Sequence, residues 1–167
     1  AIFQSVTAYY LQDRFLLSLN ETAKSTALVL GSMAAMSIVA QLTIVQRFKG
    51  SPLRLIWWSI PFFVASAIVV AFSLNFNWVL VGMSLMGLGM GLASPGYTAS
   101  ASLNADINNQ GAAVGLAMIA PGMGFALGPL LSGFLYQANL ILPFLFTIPL
   151  FLIASFLIFQ LEKKSFQ

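Results

Sequence analysis

The sequence predicts an all-α membrane protein with six transmembrane helices, and three observations predict it. Hydrophobic residues make up 59% of the 167 residues and charged residues 7%, with a mean hydropathy of +0.93. An average soluble domain is about 25% charged, so a globule of this size could not cover itself with polar groups. The apolar residues also fall into six runs separated by short polar or breaker-rich stretches. Each run approaches the roughly 20 residues that a helix needs to cross the hydrocarbon core. Finally, the runs do not alternate. Barrel strands alternate over about ten residues, and only helices or closed barrels satisfy every backbone polar group in lipid.

The first span is about 1–18, AIFQSVTAYYLQDRFLLS, short and polar at its end. SLNETAKS then forms a loop, in which Asn20 is the expected helix N-cap. The second span is about 25–45. The loop QRFKGSPLR follows, broken by Gly50, Ser51 and Pro52. The third span is about 53–74, with Trp57 and Trp58 near one end, where interfacial aromatics sit. A short NFN turn precedes the fourth, about 78–99, which opens on Trp78. The polar connector SASLNADINNQ leads to the fifth, about 111–136, and QANL to the sixth, about 141–160. The expected organisation is one helical bundle over 1–160 and a cytoplasmic tail, LEKKSFQ, over 161–167.

Orientation follows from the distribution of Lys and Arg, which favour cytoplasmic loops. Arg47, Lys49 and Arg54 flank the second-to-third loop, and Lys163 and Lys164 follow the sixth span. These groups share a side. Opposite them are Arg14 and Lys24. The basic side is expected to be cytoplasmic, with the C-terminus inside. The connector around Asp106 falls inside too but carries no Lys or Arg. The chain starts at Ala1 within an apolar stretch, which reads as an excerpt with a segment missing upstream.

Composition also excludes chemistry. There are no Cys and no His, which removes thiol nucleophiles, imidazole relays and zinc sites of the Cys/His type. The acidic residues are Asp13, Glu21, Asp106 and Glu162, with no local carboxylate pair. No enzyme, metal or cofactor is expected. The net charge of +3 sits at segment ends, where membrane topology explains it better than nucleic acid does.

The stretch PGMGFALGPLLSGF, residues 121–134, holds four glycines and two prolines. Interior Gly costs about 1 kcal/mol and interior Pro about 3 in a soluble helix. In lipid, small residues let helix backbones approach closely, and neighbours satisfy the carbonyls that Pro frees. Gly111 and Gly115, Gly124 and Gly128, and Gly87 and Gly91 are each four apart. The expectation is a closely packed, bent fifth helix, with pure packing as the alternative to a functional role.

Gly124-x-x-x-Gly128-Pro129-Leu130-Leu131-Ser132-Gly133 resembles the Gly-x-x-x-Gly-Pro-x-x-Gly-Gly signature of drug/proton antiporters in the major facilitator superfamily. That signature belongs to the fifth helix, with looser copies in the eleventh. Tyr9-Tyr10-Leu11-Gln12-Asp13-Arg14-Phe15 resembles the outer end of the seventh helix in tetracycline-type exporters. QRFKGSPLR sits where the family's Gly-x-x-x-Asp-Arg-x-Gly-Arg-Lys loop, or its degenerate second copy, is found; the leading Gly and the Asp are absent here. The resemblance implies the C-terminal six-helix half of a twelve-helix secondary transporter, in a bacterial inner membrane. The first half is the alternative placement.

By the same resemblance, the substrate site lies near the midplane between two halves. The first and fourth spans would line it most directly, the second and fifth contribute flanks, and the third and sixth face lipid more. Gln4, Ala8 and Gln12 fall on one helix face, and Tyr9 and Tyr10 add aromatic surface with a hydroxyl. Inter-helix hydrogen bonding is the other reading of these polar groups. Met83, Met86 and Met90 are spaced i, i+3, i+7, with Met118 and Met123 on the fifth span as possible companions. Met recurs on promiscuous binding surfaces and equally serves as core filler. Gln41, Ser100 and Asn104 are weaker candidates. Asp13 and Arg14 read as a gate, a topology anchor or a site of proton release. Gly124, Gly128, Pro129 and Gly133 read as packing and gating positions. The span 53–74 holds no acid; Phe62, Phe63, Ala65 and Ser66 occupy its middle.

The function expected from all this is alternating-access, proton-coupled efflux of a small amphiphilic molecule. The partners would be lipid, protons, that substrate and the missing N-terminal half. The alternative is a non-transporting membrane subunit or scaffold that pairs with another helical chain.

Overall fold

The computed structural model describes the backbone of residues 1–165 and the side chains of these except Asn108 and residues 161–165. The described residues form six helices: α1 (Ile2–Phe15), α2 (Leu19–Thr43), α3 (Pro52–Ala71), α4 (Phe76–Leu103), α5 (Gln110–Ala138) and α6 (Leu142–Ser165). Single 3-10 turns at Val45–Arg47 and Ile107–Asn109 lie in the two longer connections. Five of the helices, α2 to α6, are long and apolar enough to cross a membrane. With 14 residues, α1 extends about 21 Å at 1.5 Å per residue, short of a hydrocarbon core of about 30 Å.

Local chemistry sets the helix ends. The end of α1 is closed by Leu16 in the left-handed region (φ 52, ψ 42), whose N–H bonds the Gln12 carbonyl. Two residues later Ser18, not the expected Asn20, caps α2. Its hydroxyl accepts from the Glu21 N–H while the Glu21 carboxylate accepts from the Ser18 N–H at 2.9 Å. The reciprocal bonding needs an acid three residues after the cap; Ser18 has Glu21 there, whereas Asn20 has Ala23. The second helix therefore starts earlier than expected, at Leu19 instead of about 25. Pro52 opens α3, where its missing N–H costs no helical bond. Asn75 caps α4 by accepting from the Trp78 N–H at 3.3 Å. At the far end, α6 passes the expected boundary at 160 and reaches Ser165, so the backbone of most of the expected tail is helical. Residues 166 and 167 of that tail lie outside the described residues.

The core is built on α1, α2, α3, α4 and α6. Phe3, Val6, Tyr10 and Leu11 of α1 meet Val29 and Met33 of α2, Val70 of α3, Val79 and Met83 of α4, and Phe144 of α6. Phe144 is fully buried and presents edge contacts to Phe3 and Tyr10, at 5.1 and 4.9 Å between ring centroids. A smaller cluster of Ala40, Leu55 and Leu92 joins α2, α3 and α4 at the opposite end.

The closest backbone approaches run along α4. A Cβ at Gly87 would collide with the Met33 carbonyl oxygen of α2, and one at Gly91 would lie 2.5 Å from the Ser37 carbonyl oxygen. Gly82 and Gly89 instead lie against side chains of α3, those of Val70 and Phe63. On α5, a Cβ at Gly111, Gly115, Gly122, Gly124 or Gly133 would meet none of the described residues within 4 Å, and Gly128 alone is in contact, with Ala1. The glycine spacing is the same in both helices, so the difference comes from position: α4 is wedged between α2 and α3, whereas in α5 only Gly128 and Ser132 are buried.

Candidate functional site

A cavity of about 470 Å³ opens at the first turn of α1. Ala1 to Gln4 form one wall, and Met86 and Met90 of α4 a second. Gly124, Leu127, Gly128 and Leu131 of α5 form a third, with Met123 beside them. Thr147, Leu150 and Phe151 of α6 close the fourth. Met33 of α2 and Phe63 of α3 complete it. Phe63 stacks on Phe151 at 4.8 Å with the planes 15° apart, giving the cavity a flat aromatic face.

Among the described residues, no charged side chain lines this space. Its polar groups are the Gln4 amide, which both donates and accepts, and the Thr147 hydroxyl. The latter donates to the Phe144 carbonyl at 2.7 Å, so its oxygen is left as an acceptor. A few polar groups in a mostly apolar concavity of several hundred Å³ is the usual make-up of a small-molecule site. Thioethers and aromatic rings supply polarizable, adaptable contacts.

The sequence-derived candidates divide. Gln4, Met86, Met90, Gly124 and Gly128 come together on the cavity. Met83 does not; it is fully buried in the core. Ala8 and Gln12 share a face with Gln4 but lie further along α1, away from the cavity lining. Tyr9 points outward, 62% exposed, with its ring 6.4 Å from Tyr136. Met118 is exposed, and its sulfur lies 3.7 Å from the Tyr97 hydroxyl. Pro129 and Gly133 flank Ser132 on α5 without lining the cavity. Among the weaker candidates, Gln41 is exposed near Ser37, and Asn104 donates to the Ser100 carbonyl at 2.8 Å. All six helices contribute to the lining, and α6 supplies three of its residues.

Asp13 and Arg14 diverge at the end of α1. The Arg14 Nη2 donates to the Ser73 carbonyl at 3.3 Å. One turn earlier, the buried Tyr10 hydroxyl lies 2.8 Å from both the Val70 carbonyl and the Ser73 hydroxyl, tying α1 to the end of α3. Asp13 faces the other way and accepts from the Tyr136 hydroxyl of α5 at 2.5 Å. Sequence reading missed Tyr136, Ser132, Thr147 and Phe151. A signal for the first two was present: Gly128, Ser132 and Tyr136 are four apart, on one helix face.

Residues 1–165 match the sequence profile of the Major Facilitator Superfamily. No curated protein matches the chain.

Proposed function

Because the chain belongs to the Major Facilitator Superfamily and is thereby a membrane transporter, we propose that it moves a small, amphiphilic and largely apolar molecule by alternating access, as proton-coupled efflux. The cavity carries this reading. It is large enough for a drug-sized molecule, its walls are Met, Phe and Leu, and Gln4 and Thr147 offer hydrogen bonds without a fixed charge. A sugar phosphate or another strongly anionic solute would find no basic side chain among the described lining residues.

In this reading the chain is the C-terminal six-helix half of a tetracycline-exporter-like protein, with the Arg47 end and the C-terminus cytoplasmic. The partner half would cover the broad apolar surface that α5 leaves open, where Leu116, Ile119, Met123, Leu127, Leu130 and Phe134 are all exposed. Rocking of the halves would expose the cavity first to one side and then to the other. Since no acid lines the cavity among the described residues, the coupling proton would bind on the other half or at Asp13.

The test is transport by the full-length protein in proteoliposomes, with a panel of lipophilic and weakly polar fluorescent compounds. Movement of at least one compound that stops when the pH gradient is collapsed is the expected result. Transport indifferent to the gradient would remove proton coupling, and no movement of any compound would remove the efflux reading.

A further inference from the structure

The attachment of α5 to α1 is a single seam. Gly128 sits against Ala1, Ser132 lies 2.8 Å from the Ser5 hydroxyl, and the Tyr136 hydroxyl donates to Asp13 at 2.5 Å. The α5 members are spaced four apart, so they form one line along the helix. The first rung is on the cavity wall. The second is buried, with Ser132 1% exposed. The third is exposed and stands at the end of the bundle.

The third rung differs from the others chemically. It joins a hydroxyl donor to a carboxylate, and such charge-assisted bonds are short and roughly twice as strong as neutral ones. Its acceptor is held from behind, because Tyr10 and Arg14 anchor the same turn of α1 to the end of α3. Tyr136 is therefore bonded to a fixed post, while the other contacts of α5 are with α4 and, less extensively, α6. From these facts we infer that Asp13 and Tyr136 are positioning residues: a clasp that holds α5 against α1 and controls entry to the cavity from the Asp13 end. With the clasp closed, the seam seals the wall between Gln4 and Leu131. With it open, α5 is free to swing away from α1 about its remaining contacts.

The inference rests on the cavity being the transport site, so its test reads access without transport. The chain has no Cys, and Thr147 is a buried cavity residue on α6, away from the seam. Thr147→Cys is introduced into the full-length protein, with any cysteine outside this chain replaced. A membrane-impermeant maleimide is then applied from the Asp13 side. Labelling is expected to be slow in this background and to speed up about tenfold on Tyr136→Phe, the order set by losing a hydrogen bond to a charged group. Asp13→Ala should act alike. Tyr136→Phe keeps the ring and its contact with Tyr9, so insertion is retained even if the Asp13 variant inserts poorly. Lys24→Gln, a charge change at the same end away from the seam, should leave the rate unchanged. Unaltered labelling in Tyr136→Phe, or equal acceleration in Lys24→Gln, would overturn the clasp. Labelling as expected in a protein that moves no compound would sink the transport reading alone.

Discussion

A glycine's worth depends on what stands opposite it. Gly87 and Gly124 each belong to a pair spaced four apart in an apolar helix, and nothing in the sequence ranks one above the other. In the fold, Gly87 lies against the α2 backbone at Met33, and Gly124 has nothing from this chain within 4 Å of where its Cβ would sit. A backbone carbonyl cannot step aside as a flexible side chain can. Gly87→Leu should therefore destabilise the bundle by at least the roughly 1–3 kcal/mol typical of overpacking. Gly124→Leu should cost less. Thermal unfolding of the two variants in detergent checks this, and equal losses would contradict it. The same contrast separates Met83 from Met86 and Met90. All three lie on one helical stripe, but the stripe passes from core to cavity wall along its length.

Among the elements, α2 and α5 show what is readable locally. The start of α2 is set by residues within one turn: Ser18 and Glu21 satisfy each other's orphan backbone donors. Asn20 has the right chemistry for a cap but lacks an acid three residues on, which is why composition alone misplaced the boundary. Ser18→Ala should cost about 1 kcal/mol, measured as a lower unfolding midpoint, while Asn20→Ala should cost less. In α5, by contrast, the local pattern does not say where its partner lies. Its Gly and Pro content reads as a tightly packed helix, and within the described residues only Gly128 among its glycines meets another helix. Their use depends on what lies outside α5. The α1–α5 seam was legible only as a spacing: Gly128, Ser132 and Tyr136 share a face, but their partners Ala1, Ser5 and Asp13 lie more than a hundred residues away.

For the whole molecule, α1 and α5 run in the same direction, so the ends of α1 and α5 come together with the starts of α2, α4 and α6. The Arg47–Arg54 turn is at the opposite end. If that end is cytoplasmic, a cysteine at position 49 should be blocked by a membrane-impermeant thiol reagent only after cells are permeabilised. A cysteine at position 77 should be blocked in intact cells. The reverse pattern would invert the proposed orientation.

The apolar runs and their breakers, read in order along the chain, were enough to establish a helical membrane bundle and most of its helices. Backbone satisfaction in lipid is a local requirement that each segment meets alone. The cavity, the wedge of α4 glycines and the Asp13–Tyr136 bond were not accessible in that way. Each is a meeting of groups far apart in the chain, and spacing within a helix says which residues share a face but not what that face will touch.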